Sequence, residues 1–359
     1  MPALQQAKSA NAALVPTTYT PVLVVVGGTS AIGAEVAKAF ARHTQGRAHI
    51  IIVGRSERSA RAVLDAFPKP DLGTEFSHEF LLADVTLMSE VRALVAKIKD
   101  KLHALPGAGR INYLFLSASS PVSNSLMKAA VTKEGLGEHL ASKYFARYLI
   151  ARELLPLLAK AHELDQVASL MTVLAAGNAV PLPTTDLDLA ESRRAGRKWL
   201  DGAFPRLEAL KGMQYALPYN DTLVAHFHAT NPWLSCTHTY PGQVLPPGKP
   251  GFAFGYLMLP LTGLVRVLRY WTQVPLGDCS EYQLHALLAP GKTGGVFLRG
   301  KHADLISSVT LDREVVLSES GDDSIGVLAG HAVGGYGGSD ARVAKLIHWT
   351  DGVLEKLQS

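Results

Sequence analysis

The sequence predicts an α/β fold built on a doubly wound parallel sheet, in a single extended domain. Predicted strands and helices alternate through most of the chain, at the spacing that right-handed β-α-β crossovers require. The first strand, 22–26, is a continuous run of Val and Leu, as expected for a parallel strand buried on both faces. Apolar residues make up 47% of the 359 residues and charged residues 18%, so a large core is available and global disorder is excluded.

The first four strands are predicted from short apolar runs, and each is followed by a longer helical segment. Short apolar runs bounded by turn residues favour strands of a buried sheet. The longer segments mix charged and apolar residues at helical spacing, as surface helices do. Strands are therefore expected at 22–26, 49–53, 79–83 and 111–116, and helices at 31–43, 58–67, 89–102 and 134–159.

The second half continues the pattern with longer interruptions. A fifth strand is expected at 167–174, followed by a polar insertion after Gly177. A helix at 213–229 and a sixth strand at 234–239 complete the predicted core. Further on we expect an apolar helical excursion at 245–290, a seventh strand at 296–298 and a final helix at 340–357.

The domain organisation follows from these elements. Residues 1–20 are rich in Gln, Ala, Ser and Thr, which favours a flexible tail without the basic start and apolar block of a secretory signal. Residues 21–300 form the predicted sheet domain, and residues 301–359 a C-terminal extension packed on its core.

Charge and cysteine content narrow the class of protein. The net charge is +4 without a long basic run, which suits a phosphate-bearing ligand but gives no clustered face for nucleic acid. Cys236 and Cys279 are the two cysteines, so no disulfide framework and no metal site are predicted. The apolar stretch 251–265 is too short for an integral membrane span. We therefore expect a cytoplasmic protein.

A glycine-rich turn follows the first strand, and residues 26–33 read Val-Gly-Gly-Thr-Ser-Ala-Ile-Gly. Between a buried strand and a helix, such a turn directs backbone N–H groups and the helix N-terminus at a pyrophosphate. The turn residues expected to bind a dinucleotide are Gly27, Thr29, Ser30, Ile32 and Gly33.

Arg55 at the end of the second strand indicates which dinucleotide binds. An acidic residue at this position holds the ribose 2′-hydroxyl of NAD, whereas an arginine accepts the 2′-phosphate of NADP. The sequence therefore predicts NADP as cofactor. A solvated surface arginine is the alternative interpretation.

These motifs resemble the short-chain dehydrogenase/reductase family and its Rossmann fold, over about 22–300. The turn departs from the family's Thr-Gly-x-x-x-Gly-x-Gly at Val26 and Ala31. By resemblance, further cofactor contacts come from the Asp-Val step after the third strand, the position of the Asn-Asn-Ala-Gly motif, and the Pro-Gly-x-Val loop. These are Asp84, Val85, Ser117, Ala118, Pro241, Gly242 and Val244. Asp84 also suits a cap of the next helix.

The family's four catalytic residues are mostly replaced. Tyr215 matches the Tyr of Tyr-x-x-x-Lys, but Tyr219 stands at the Lys position. Ala175 occupies the Ser position and Lys143 the Asn position. A tyrosine needs a nearby cation to act as a base at pH 7, and the family geometry puts Lys143 within reach of Tyr215. The catalytic candidates are therefore Tyr215, Lys143 and Tyr219, with a solvated Lys143 in a redox-inactive site as the alternative.

Residues 245–272 fall where the family has its substrate lid, and their apolar character implies a hydrophobic small-molecule substrate. A homodimer contact or core packing would explain the same residues. The pattern, with Trp349 near the chain end, resembles a divergent fungal branch associated with secondary metabolism. Three functions stay open: an NADP(H)-dependent carbonyl or alcohol oxidoreductase, a non-redox isomerase, dehydratase or cyclase, and a non-catalytic NADP-binding protein.

Overall fold

Seven parallel strands form the central sheet of the computed structural model, which describes residues 3–70, 75–105, 107–119, 131–176, 187, 206–244, 273–306 and 340–358. The described strands are β1 Val22–Val26, β2 His49–Gly54, β3 Ser77–Leu82, β4 Tyr113–Leu116, β5 Ser169–Val173, β6 Ser235–Thr239, β7 Gln243–Val244, β8 Gln273–Val274 and β9 Gly295–Arg299. Of these, β7 and β8 form a separate two-stranded sheet, and the other seven form the central sheet. Their order in the sheet is β3-β2-β1-β4-β5-β6-β9. The predicted doubly wound parallel fold is confirmed.

Helices cover both faces of the sheet. They are α1 Leu4–Leu14, α2 Ala31–His43, α3 Glu57–Leu64, α4 Met88–Ala104, the short α5 Glu138–Leu140, α6 Ala146–Glu163, α7 Arg206–Thr230, α8 Leu276–Leu288 and α9 Asp340–Lys356. A π-helical turn, Ala141–Phe145, joins α5 to α6. One hydrophobic cluster lies between the sheet and α4, α6, α7 and α9, and the other between the sheet and α1, α2, α3 and α8. The result is a three-layer α/β/α arrangement.

The strand register brings the carboxyl ends of β1, β2 and β4 together. Val26 at the end of β1 pairs with Val53 of β2 on one side and with Leu116 of β4 on the other. In parallel α/β sheets, ligands bind in the crevice beyond these carboxyl ends, where the strand order reverses. The order reverses on either side of β1, so the glycine-rich turn lies at this point.

Residues 4–14 form a helix where the sequence predicts a flexible tail. In α1, Ala7 and Asn11 are fully buried, and the Asn11 side chain donates to the carbonyl oxygen of Glu281 on α8 at 2.9 Å. The helix was missed because Ala7 and Asn11 are its only buried residues, too few to give an apolar stripe in the sequence.

The long helix predicted at 134–159 begins later and ends later. Glu134 lies outside it, and its carboxylate accepts from the backbone N–H groups of Met88 and Ser89 at 2.6 and 2.9 Å. Glu134 therefore caps the N-terminus of α4, where backbone N–H groups have no partner within the helix.

The last helix packs on the face that α6 and α7 cover. Leu346 and Leu354 of α9 are buried in that hydrophobic cluster, and the hydroxyls of Tyr144 and Thr350 are hydrogen-bonded at 2.7 Å. The described end of the C-terminal extension thus packs on the core. Within the described parts of the chain, no helix combines the length and apolarity that a membrane crossing needs.

Candidate functional site

The glycines of the turn lie where a side chain would collide with neighbouring backbone. A Cβ on Gly27 would lie 2.6 Å from the backbone nitrogen of Ala118, and Gly27 has a φ of 95°. A Cβ on Gly33 would lie 2.6 Å from the hydroxyl oxygen of Ser117 and closer still to the carbonyl oxygen of Gly27. These glycines let the first turn of α2 approach the ends of β1 and β4, which opens a backbone cradle in front of the helix.

Ala31 departs from the family pattern at a position where the backbone favours glycine. Its φ is 47°, in the left-handed region that costs a residue with a Cβ roughly 1–2 kcal/mol. The methyl group is exposed and lines the cavity described next. The substitution therefore adds both backbone strain and bulk at the mouth of the cradle.

A cavity of about 480 Å³ lies over the turn, within the usual range for cofactor and ligand sites. Eleven of the thirteen residues expected to bind the cofactor line it: Gly27, Thr29, Ser30, Ile32, Gly33, Arg55, Asp84, Val85, Ser117, Ala118 and Pro241. They come from the ends of β1, β2, β3, β4 and β6. The glycine cradle and the cavity size both fit a dinucleotide.

Arg55 and two serines form one end of this cavity. The Arg55 guanidinium lies 3.9 Å from the carboxylate of Asp84 and is 54% exposed, so it remains open to a ligand. Ser56 and Ser59, which sequence reasoning missed, line the same end, and their hydroxyls are hydrogen-bonded at 3.0 Å. An arginine, two hydroxyls and the N-terminus of α3 make a set of donors suited to a phosphate.

Gly242 and Val244 lie beyond the cavity. Gln243–Val244 pairs in parallel with Gln273–Val274, with Val244 opposite Val274. Gly242 has a φ of 78°, and a Cβ there would lie 3.1 Å from the side chains of Lys301 and Val274. This pairing joins the two ends of the predicted lid, whose residues 245–272 are outside the described part of the chain.

Of the catalytic candidates, Tyr215 and Tyr219 both lie on α7. Tyr215 is partly buried, and its ring centre lies 6.3 Å from that of Tyr219. Tyr219 is fully buried, its hydroxyl donates to the carbonyl oxygen of Leu187 at 2.9 Å, and its ring contacts Tyr144. Tyr219 thus packs between helices, and neither tyrosine lines the cavity over the glycine turn.

Lys143 lies in the π-helical turn and is 3% exposed, not a solvated helix residue. Its ammonium nitrogen is 3.0 Å from Nδ1 of His139. Burial, with a contribution from the nearby charge of Arg147, lowers the pKa of Lys143 to about 8. The preceding residue, Ser142, lines the cavity. π-Helical turns inside α-helices are frequent at functional sites.

Arg147 is 2% exposed and connects the elements behind the site. Its guanidinium donates to the Thr172 hydroxyl at 2.5 Å, to the Asn220 side-chain oxygen at 3.1 Å and to the Ala118 carbonyl at 3.1 Å. Asn220 in turn donates to the carbonyl oxygen of Lys143 at 2.8 Å. This network ties β4, β5 and α7 to the π-helical turn.

A second buried polar pair lies next to this network. Nδ1 of His238 on β6 is 2.5 Å from a carboxylate oxygen of Asp221 on α7, and both side chains are fully buried. His238 is the register partner of Thr172. Within the described residues, no group of three or more His, Cys, Asp and Glu side chains could hold a metal ion.

His139, Arg147 and Asn220 were missed by sequence reasoning together with the two serines. Ser56 follows Arg55 directly in the sequence. Because a phosphate bound by Arg55 needs further donors nearby, Ser56 could have been predicted as one of them. His139 and Arg147 each stand four residues from Lys143, but an exposed helix face with ordinary charges gives the same spacing. Burial is what distinguishes them, and the sequence alone does not reveal it.

Comparison with known proteins identifies related chains. A family model described as short chain dehydrogenase matches residues 21–169. Oxidoreductase andH of Emericella variicolor is 31% identical over 247 residues, which cover 69% of this chain and 64% of that protein. The matched region therefore spans somewhat less than two thirds of that relative's length.

Two further relatives come from other fungi. The NmrA-like family domain-containing oxidoreductase notO of Aspergillus sp. (strain MF297-2) is 28% identical, with 69% of this chain and 67% of that protein covered. The short-chain dehydrogenase/reductase SAT2 of Stachybotrys chartarum (strain CBS 109288 / IBT 7711) is 32% identical, with 49% of each protein covered.

Proposed function

The chain belongs to the short-chain dehydrogenase/reductase family, and on that premise we propose that it is an NADP(H)-dependent oxidoreductase acting on a hydrophobic small molecule. The observation that supports this most is the convergence of five strand ends on one cavity of about 480 Å³ with a glycine cradle. When bound, the nicotinamide supplies or accepts a hydride. The residues of the chain bind it, hold the substrate carbonyl or alcohol and move the proton.

The end of the cavity at Arg55, where the adenosine of the cofactor would lie, favours a phosphate. Arg55 offers a planar fork of donors, and Ser56 and Ser59 add hydroxyls at the N-terminus of α3. The nearby carboxylate of Asp84 holds the guanidinium over this end at 3.9 Å. The negative charge of the 2′-phosphate of NADP matches these donors. The neutral 2′-hydroxyl of NAD does not use the positive charge of the arginine.

We assign the proton transfer to and from the substrate oxygen to Tyr215. Lys143 is the cation that assists Tyr215. Lys143 is buried in the π-helical turn next to the cavity-lining Ser142, and a pKa of about 8 lets it exchange a proton near neutral pH. Thr172 on β5 is fully buried and donates to the Asn220 side-chain oxygen at 2.7 Å, so a backbone N–H or a water replaces the missing serine as donor to the substrate oxygen. Losing the serine leaves less stabilisation of developing charge, roughly 3 kcal/mol by analogy with an oxyanion-hole donor.

The remaining features of the proposal come from the sequence. The apolar residues of 245–272 favour a hydrophobic substrate. The fungal origin of the three relatives described above suits a role in fungal secondary metabolism. A cytoplasmic location and a homodimer are also proposed.

The cofactor assignment is tested by Arg55→Asp, with NADPH and NADH affinities measured by fluorescence titration. The new carboxylate faces the 2′-phosphate and Asp84, so NADPH affinity should fall by about 10- to 100-fold. NADH affinity should change little. Arg61→Asp is the control, because Arg61 is an exposed arginine of α3 outside the cavity. Equal affinity of the wild type for both cofactors would overturn the assignment to NADP.

A further inference from the structure

Three basic side chains follow one another at intervals of four residues through α5, the π-helical turn and α6. They are His139, Lys143 and Arg147, which we call the basic stripe. Their exposure falls along the stripe: His139 is half-buried, Lys143 is 3% exposed and Arg147 is 2% exposed. The stripe thus runs from near the surface to the buried side of the sheet.

The buried end of the stripe is a fixed positive charge. Three oxygen acceptors surround Arg147, and within the described residues no carboxylate lies within ion-pair distance of it. Burial lowers the pKa of Arg147 to about 9, which still leaves it charged at neutral pH. A buried cation without a counter-ion is costly to maintain. After burial itself, the charge of Arg147 is the next cause that lowers the pKa of Lys143.

The outer end of the stripe is a hydrogen-bond acceptor that reaches solvent. Burial, together with the positive charge of Lys143, lowers the pKa of His139 to about 4, so the imidazole is neutral at pH 7. A neutral ring accepts from the Lys143 ammonium at Nδ1, across 3.0 Å, and therefore carries its own hydrogen on Nε2. This hydrogen bond stabilises the charged form of Lys143, whereas Arg147 destabilises it.

We propose that the basic stripe is one acid–base unit, in which Lys143 holds the exchangeable proton, Arg147 is a positioning residue with a fixed charge, and His139 links Lys143 to solvent. Lys143 loses a proton to solvent when its ammonium protonates Nδ1 of His139 and the resulting imidazolium releases the hydrogen on Nε2 to water. The reverse transfer, in which a solvent proton enters at the vacated Nε2 and the Nδ1 hydrogen moves to the lysine amine, restores the ammonium. The proposal rests on the proposed function, since it concerns how Lys143 serves Tyr215.

Other titratable groups around Lys143 are few in the described part of the chain. On its own segment, Glu138 acts in the opposite direction to Arg147 and favours the ammonium. The packed helix α7 contributes Tyr215, Tyr219 and Asp221, of which Asp221 is hydrogen-bonded to His238. The opposing effects of Arg147 and His139 therefore predict shifts of opposite sign when either is removed.

The experiment measures the ionisation of Lys143 directly. The full-length protein is labelled with ¹⁵N-lysine, the Nζ resonance of Lys143 is assigned with Lys143→Met, and its chemical shift is followed from pH 6 to pH 11. Arg147→Met removes the fixed charge, and Arg147→Lys retains a charge. His139→Leu removes the acceptor, and His139→Asn retains an oxygen acceptor near the position of Nδ1.

We expect Arg147→Met to raise the midpoint of the Lys143 titration by about one pH unit, and His139→Leu to lower it by about one. Arg147→Lys and His139→Asn should each restore most of the wild-type value. NADPH-dependent turnover should show pH profiles that move in the same directions. The Lys143 resonance is observed without substrate, so its titration does not depend on the proposed function. If the proposed function is wrong, turnover will be absent while the titration shifts remain.

An unchanged midpoint in both Arg147→Met and His139→Leu would overturn the proposal, as would shifts of the same sign. If Arg147→Met does not fold, the two His139 variants still decide the question, since His139 lies half-buried at the outer end. Equal titration in His139→Leu and His139→Asn would show that no hydrogen bond links the two side chains. A pH profile that ignores these shifts would remove Lys143 from the acid–base chemistry.

Discussion

A single methyl group at Ala31 marks the clearest departure of the glycine turn from its family pattern. With a φ of 47°, the residue adopts a conformation that glycine reaches without steric cost. The same methyl group projects into the cavity mouth. The structure thus retains the shape of the family turn although the residue that favours this shape is absent.

Replacing Ala31 by glycine should stabilise the protein. Relief of left-handed strain, roughly 1–2 kcal/mol, exceeds the entropy cost of a glycine, roughly 0.5–1 kcal/mol. A net gain of about 0.5 kcal/mol in the free energy of unfolding follows, measured by urea denaturation. The control is Ala34→Gly, within the right-handed part of α2, which should cost about 1 kcal/mol. A loss of stability in Ala31→Gly that matches the control would show that Ala31 is not strained.

Residues at strand ends were predictable from the sequence, and residues behind the site were not. Arg55 and Asp84 follow apolar strands directly, so the parallel-sheet rule brings them to the same edge. Arg147 also lies on a recognisable helix, but its role in the polar network comes from its burial against Thr172 and Asn220. Such burial depends on how three elements pack, which no local pattern encodes.

At the scale of elements, one carboxylate of α8 contributes to the docking of α1. Glu281 accepts from His43 and Arg42 of α2 at 2.9 and 3.1 Å and from Asn11 of α1 at 3.0 Å. Burial alone would raise the pKa of Glu281, but these hydrogen bonds outweigh it and lower the pKa to about 2. Glu281 thereby joins three helices on one face of the sheet.

Glu281→Gln should lower the free energy of unfolding by about 2 kcal/mol at pH 7, since bonds to a charged acceptor are lost. Because the folded pKa is depressed, this contribution is complete above the unfolded pKa, near 4.5. It is lost as the pH falls from there towards 2. Urea unfolding at pH 7 and at pH 3 should therefore show a smaller difference between wild type and variant at the lower pH.

Glu163→Gln is the matched control, because Glu163 is 61% exposed and forms a surface ion pair with Lys160. It should change stability by less than about 1 kcal/mol at either pH. A pH-independent loss in Glu281→Gln would mean that packing, and not charge, holds α1. No local sequence pattern predicts this contact, since Asn11 and Glu281 are 270 residues apart.

For the whole molecule, the doubly wound parallel sheet was the most predictable feature. Right-handed crossovers between alternating strands and helices permit few topologies, and the observed parallel sheet is among them. Element boundaries were less predictable: the helix expected at 134 starts at Glu138 and continues through a π-helical turn. The apolar excursion expected at 245–290 contains β8 and α8 in its described part, 273–290.

The redox reaction that we propose is centred on Tyr215. It is tested most directly with NADPH deuterated at C4 of the nicotinamide, a panel of hydrophobic ketones and aldehydes, and mass spectrometry of the product. We predict one deuterium on the new carbinol carbon and one NADPH consumed per product. Tyr215→Phe should lose rate by about 100-fold or more while NADPH still binds. A rearranged or dehydrated product without deuterium, formed with no NADPH consumed, would show that the enzyme is not an oxidoreductase.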